Sequence, residues 1–171
     1  MNYEIVYDEH GENPRECENA TIMIFTHRRY GLPNETKFDF KSASSWDEAE
    51  KAVRRKLKNI RFFCRVYMMD HSVLSFSLKP FGGIYGYFDS CCVGFIAITA
   101  ESIGDKKRRK QEEYEAIANA ELKTYKAYAN GEVYRVVIED EEGEEVDSCS
   151  GFFGRESGEE WAKERILELS R

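Results

Sequence analysis

The run THRRYG sets His27, Arg28, Arg29 and Tyr30 side by side. Two guanidinium groups, an imidazole and a phenol in consecutive positions can hold a carboxylate or phosphate through charge-assisted hydrogen bonds. The plainer alternative is a polar loop whose arginines pair with surface acids. Asp70, followed by His71, and then Asp89 and Asp147 stand at the ends of strand-like segments. Aspartates so placed serve as acids, bases or metal ligands, or else accept backbone N–H groups in turns. One composite site joins the ligand-binding candidates His27, Arg28, Arg29 and Tyr30 to the catalytic candidates Asp70, His71 and Asp89 at one edge of a sheet. The arginines would take an anionic group there, and His71 would act as acid or base.

Other chemistries find less support. The three histidines, His10, His27 and His71, share no zinc-ligand spacing, and neither a phosphate-binding loop nor a dinucleotide fingerprint occurs. No metal and no cofactor are expected. Gly-x-Ser-x-Gly and Ser-x-x-Lys are both missing. Cys91, Cys92 or Cys149 could pair with His27 or His71, but Cys149 has acidic neighbours and Cys92 heads an apolar strand, neither of which favours a thiolate. The five cysteines contain no Cys-x-x-Cys, so free thiols in a reducing compartment are expected, not a disulfide framework. Asp-Ser-Cys occurs twice, at 89–91 and 147–149. Each copy reads as a local hydrogen-bonded turn at a strand edge.

The chain of 171 residues is 42% hydrophobic and 33% charged, with a formal net charge of −7. That is enough apolar material for one α+β domain, residues 1–171, with a mainly antiparallel sheet and about three helices packed on it. The negative balance argues against direct binding to nucleic acid and leaves open a basic protein partner, such as a nucleic-acid-binding host protein or complex. Charge is unevenly spread: KKRRK at 106–110 contrasts with EDEEGEE at 139–145. The plainer reading is a solvated helix start and a solvated hairpin tip. The sharper one makes Glu139, Asp140, Glu141, Glu142, Glu144 and Glu145 a phosphate-like surface toward that partner. No apolar run is long enough to cross a membrane and the N-terminus lacks a secretory pattern, so a cytoplasmic protein is expected.

The elements that must position these residues alternate in runs. Strands are expected at 3–8, 20–27 (buried on both faces), 61–70, 71–78, 91–99, 132–140 and 144–152, the last two around a turn at Glu142-Gly143. A first helix starts at the capping box Ser45-x-x-Glu48 and buries Trp46, Ala49, Val53, Leu57 and Ile60. A second spans 107–129 with the stripe Tyr114, Ala118, Leu122, Tyr125. A third starts at the capping box Ser157-x-x-Glu160. The order is β-β-α-β-β-β-α-β-β-α.

Four ordered stretches carry a resemblance: FTHRRYGLPNE, YMMDHSVLSFS, FDSCCVGFIAITAESI, and ELKTYKAYANGEVYRVVIEDEEGEEVDSCSGFFG. From about residue 22 to 154 the chain resembles an uncharacterised family of small accessory proteins encoded by phages, plasmids and conjugative elements. That family reads His-Arg-Arg-Tyr, Asp-His-Ser-Gly, Trp-Asp-Ser-Gly-Gln-Val-Gly, and Asp-Ser-Cys-x-Gly-Phe-x-Gly at the corresponding places. The resemblance maps His27 to Tyr30, Asp70 to Ser72, and Asp89, Ser90, Val93 and Gly94 onto these motifs, with Asp147, Ser148, Cys149, Gly151 and Gly154 on the last. Val73 replaces a glycine, Phe88 a tryptophan, and Cys91-Cys92 a Gly-Gln pair. The family has no activity to carry over. The resemblance implies a mobile-element gene acting in a bacterial cytoplasm, and hence a non-enzymatic counter-defence inhibitor of the anti-CRISPR or anti-restriction type.

Overall fold

In this computed structural model, residues 1–83, 89–104 and 108–170 are described. Phe88 and the Lys106-Lys107 part of the basic run lie outside them. The elements are β1 (Asn2–Tyr7), β2 (Ile22–Phe25), α1 (Trp46–Lys56), β3 (Ile60–His71), β4 (Val73–Ser77), β5 (Ser90–Thr99), α2 (Gln111–Ala129), β6 (Val133–Glu139), β7 (Glu145–Phe153) and α3 (Arg155–Leu169). Their order is the expected one. The fold class is α+β with antiparallel pairing throughout two sheets. Contacts gather the chain into two compact units, Cys17–Lys123 and Met1–Glu16 with Thr124–Arg171.

The unit Cys17–Lys123 is built on a four-stranded sheet ordered β2-β5-β3-β4. Successive residues of a strand point to opposite faces, and Met23, Ile24 and Phe25 are all buried. Both faces of β2 are therefore covered, as its unbroken apolar run requires. Residues 33–35 run beside its outer edge: the Phe25 N–H donates to the Pro33 carbonyl at 2.8 Å and Glu35 N–H to the Met23 carbonyl at 3.0 Å. That covering removes an open edge. It also pins both ends of the loop carrying residues 27–30.

α1 lies against this sheet through Ala49 and Val53, which share a core with Ile24, Phe38 and Phe95 and are flanked by Phe40, Trp46 and Phe63. Ser45 caps it by accepting the Glu48 N–H. The Glu48 carboxylate returns to Ser44 instead of Ser45, accepting its N–H at 2.8 Å and its hydroxyl at 2.6 Å. α2 starts at Gln111, later than expected, and Arg108 to Lys110 are exposed non-helical residues before it. Its stripe holds: Tyr114, Ala118, Leu122 and Tyr125 are all buried. Glu121 ties the helix to the start of β2 by accepting from the Ala20 and Thr21 N–H groups.

The second unit is a three-stranded sheet, β1-β6-β7, with α3 against it. Gly158 permits the close approach, since a Cβ there would meet the Val136 side chain at 3.0 Å. Trp161 packs on Phe152 with ring centroids 5.5 Å apart. α3 differs from expectation at its start. It begins at Arg155 after Gly154, with no side-chain cap. Ser157 sits inside the first turn, its hydroxyl donating to the Phe153 and Gly154 carbonyls. The positive φ available to Gly154 (86°) turns the chain directly from β7 into the helix, so no Ser157 cap forms.

Candidate functional site

The sheet-end cluster is set by strand direction. β5 runs antiparallel to both of its neighbours, β2 and β3. The end of β2, the start of β5 and the end of β3 therefore meet at one end of the sheet. His27 follows β2, Ser90 opens β5, and Asp70-His71 closes β3. Ser72, at φ 67°, makes the reversal into β4. Residues more than forty positions apart in sequence are neighbours for this reason alone.

Asp70 is the centre of the first contact. Its carboxylate accepts from the Arg29 guanidinium at 2.8 Å and from the Tyr30 hydroxyl at 2.9 Å. The Arg29 side chain remains 72% exposed, so this ion pair adds about 0–1 kcal/mol to stability and leaves most of the guanidinium N–H groups facing water. His27 stacks on Tyr30, with ring centroids 5.0 Å apart. Its Nδ1 accepts the Arg29 backbone N–H at 3.3 Å, which places the proton of the neutral ring on Nε2. Arg28 is exposed beside them.

His71 makes the second contact, with Nδ1 3.2 Å from Asp89 Oδ2. Adjacent strand residues leave on opposite faces, so Asp70 and His71 turn to different partners. Six of the seven residues fall into two adjoining pairings at one sheet end, with Arg28 exposed beside them.

Charge follows this geometry. Burial holds the His27 imidazole below its usual pKa; Arg29 and Arg28 push the same way, and Asp70 opposes them. The Tyr30 phenol is raised, first by its hydrogen bond to the Asp70 carboxylate. Burial raises the Cys91 thiol, and the Asp70 charge raises it further; burial also raises Cys92. Neither thiol is poised as a nucleophile. All five cysteines are free.

What remains is an array of donors: Arg28, the outer face of Arg29, and the Nε2–H of neutral His27. Asp70, already accepting two hydrogen bonds, fixes Arg29 and Tyr30, and His27 stacks on Tyr30. Such an arrangement suits recognition of an anion better than proton transfer. One prediction tests the electrostatics. Asp70→Asn removes the influence that raises His27, so the NMR titration midpoint of His27 should move further down. An unchanged or higher midpoint would contradict the arrangement.

Asp147 is engaged elsewhere: it accepts from the Arg165 guanidinium and from the Ser148 N–H. In the acidic hairpin, the Asp140 carboxylate accepts the Glu142 N–H at 2.8 Å and the Glu144 N–H at 3.0 Å. These bonds lower its pKa and close the turn around Gly143, whose φ is 83°. Glu145 pairs with Arg135 at 3.1 Å and Glu139 is half-buried, while Glu141, Glu142 and Glu144 are exposed.

Sequence reasoning passed over a cavity of about 260 Å³ lined by Thr26, Phe40, Ser44, Ser45 and Trp46. The aromatic residues between 38 and 46 were its only signal. No family model, curated protein or solved structure matches the chain.

Proposed function

We propose that this chain works by binding, and that the end of its four-stranded sheet recognises an anionic group, a carboxylate or a phosphate. The observation that supports this is the Asp70 carboxylate gathering Arg29 and Tyr30 across forty residues of sequence, beside Arg28 and a neutral His27. Titration with pyrophosphate, followed by amide chemical shifts, is the direct test. Shifts should concentrate at residues 27–30 and 70–73 and disappear in Arg28→Ala/Arg29→Ala. A response that is spread over the chain, or is identical in the double variant, would sink the reading.

A second reading rests on the hairpin. Exposed Glu141, Glu142 and Glu144 on a turn held by Asp140 offer a ready negative surface to a basic host protein. With the resemblance to mobile-element accessory proteins, this makes the chain a non-enzymatic counter-defence inhibitor covering the nucleic-acid site of a nuclease or CRISPR-type complex. Reversing Glu141, Glu142, Glu144 and Glu145 to lysine should weaken capture of such a partner, most at low salt. Equal affinity across salt concentrations would remove the hairpin from the mechanism.

A further inference from the structure

The net charge of −7 conceals a division between the two units. Cys17–Lys123 contains 18 Lys and Arg against 14 Asp and Glu, net +4, whereas Met1–Glu16 with Thr124–Arg171 contains 7 against 18, net −11. The argument against nucleic acid drawn from the whole chain therefore applies to one unit and not to the other.

Within the basic unit, α1 buries Ala49 and Val53. Lys51 and Arg55, four residues apart, share one exposed face of the helix, and exposed Lys58 follows the extended C-cap residue Leu57. Acids on the same helix have other engagements. Glu50 pairs with Arg54 and Arg65, Asp47 pairs with Arg65, and Glu48 bonds Ser44. Glu48 also feels the nearby charges of Arg55 and Lys51. Among the described residues, no carboxylate lies at ion-pair distance from Lys51, Arg55 or Lys58. Two more cations are held at this end of the helix: the Arg54 guanidinium lies 4.0 Å from the Phe63 ring centroid and the Lys56 ammonium 5.3 Å from that of Phe38.

We infer that α1 and the residue pair following it bind the phosphate backbone of a nucleic acid through Lys51, Arg55 and Lys58. Helix rise separates the first two by about 6 Å along the axis. The short step between Lys51 and Arg55 suits a ligand with closely spaced single negative charges, and a phosphodiester chain carries one on every nucleotide. Contacts of this kind position without reading sequence.

The test is fluorescence anisotropy of the full chain with a labelled oligonucleotide of about 20 nucleotides, single-stranded and duplex, and with labelled polyglutamate. DNA should bind at low salt, with log K falling against log salt at a slope of about −2 to −3 for three phosphate contacts. Lys51→Glu/Arg55→Glu/Lys58→Glu should lose about tenfold or more in affinity at low salt, and Lys163→Glu, on α3, should not. Circular dichroism confirms folding, and the triple glutamine variant replaces the reversal if the latter unfolds. Four results would overturn the inference: no binding at low salt, unchanged affinity in the triple variant, loss only in Arg28→Ala/Arg29→Ala, or polyglutamate bound as tightly as DNA. The last would identify an acidic protein as the occupant.

Discussion

Gly94→Ala is expected to lower the free energy of unfolding by about 3 kcal/mol or more, or to leave the chain unfolded. Gly94 lies inside β5, between β2 and β3, where β3 is irregular at Val66-Tyr67. Its φ is 148°, and an alanine Cβ would stand 2.1 Å from the Ile24 carbonyl oxygen and 2.9 Å from the Phe25 Cα. Both obstacles are backbone in a paired strand, so no rotamer change relieves them. Gly131→Ala is the comparator. It has a φ of 72° with open space around it, so it should cost only the left-handed penalty of about 1–2 kcal/mol. Urea unfolding of the two variants separates clash from conformational strain. Equal losses would mean that β2 and β5 are not as close as this packing requires.

Phe95→Ala should cost about 3–5 kcal/mol by a different route, the opening of a cavity. Phe95 is fully buried. Its ring centroid lies 5.3 Å from that of Phe63, 5.9 Å from Trp46 and 6.3 Å from Phe40. It joins the sheet to α1 and to the 38–43 segment at once. Phe95→Leu keeps most of the volume and should cost less than about 1.5 kcal/mol. Urea unfolding monitored by circular dichroism reads both. A loss below about 1 kcal/mol for the alanine variant would mean that the rings do not depend on Phe95 for their packing.

Local signals carried most of the secondary structure. Ser45, followed by apolar residues at spacings of three and four, marked α1 because a cap and a face are properties of a few adjacent residues. β2 was legible for the same reason, since an unbroken β-branched and apolar run demands cover on both faces. The start of α3 was missed because the pattern Ser157-x-x-Glu160 satisfies a capping box on paper. Gly154, with its positive φ, turns the chain into the helix three residues earlier, and Ser157 then bonds backwards to carbonyls.

Residue types alone marked His27, Arg28, Arg29, Tyr30, Asp70, His71 and Asp89 as candidates for chemistry. That choice needed no coordinates, because guanidinium, imidazole and carboxylate groups announce what they can bind. Which of them touch was beyond the sequence. Antiparallel pairing of β5 with both β2 and β3 decided that Arg29 and Tyr30 reach Asp70, while strand alternation sent His71 to Asp89. Charge behaved in the same way. Composition determined the sum of −7; only the tertiary contacts decided that Cys17–Lys123 holds +4 and the rest −11. A sum over the chain carries no information about place, and electrostatic recognition depends on the charges within about a Debye length of a surface.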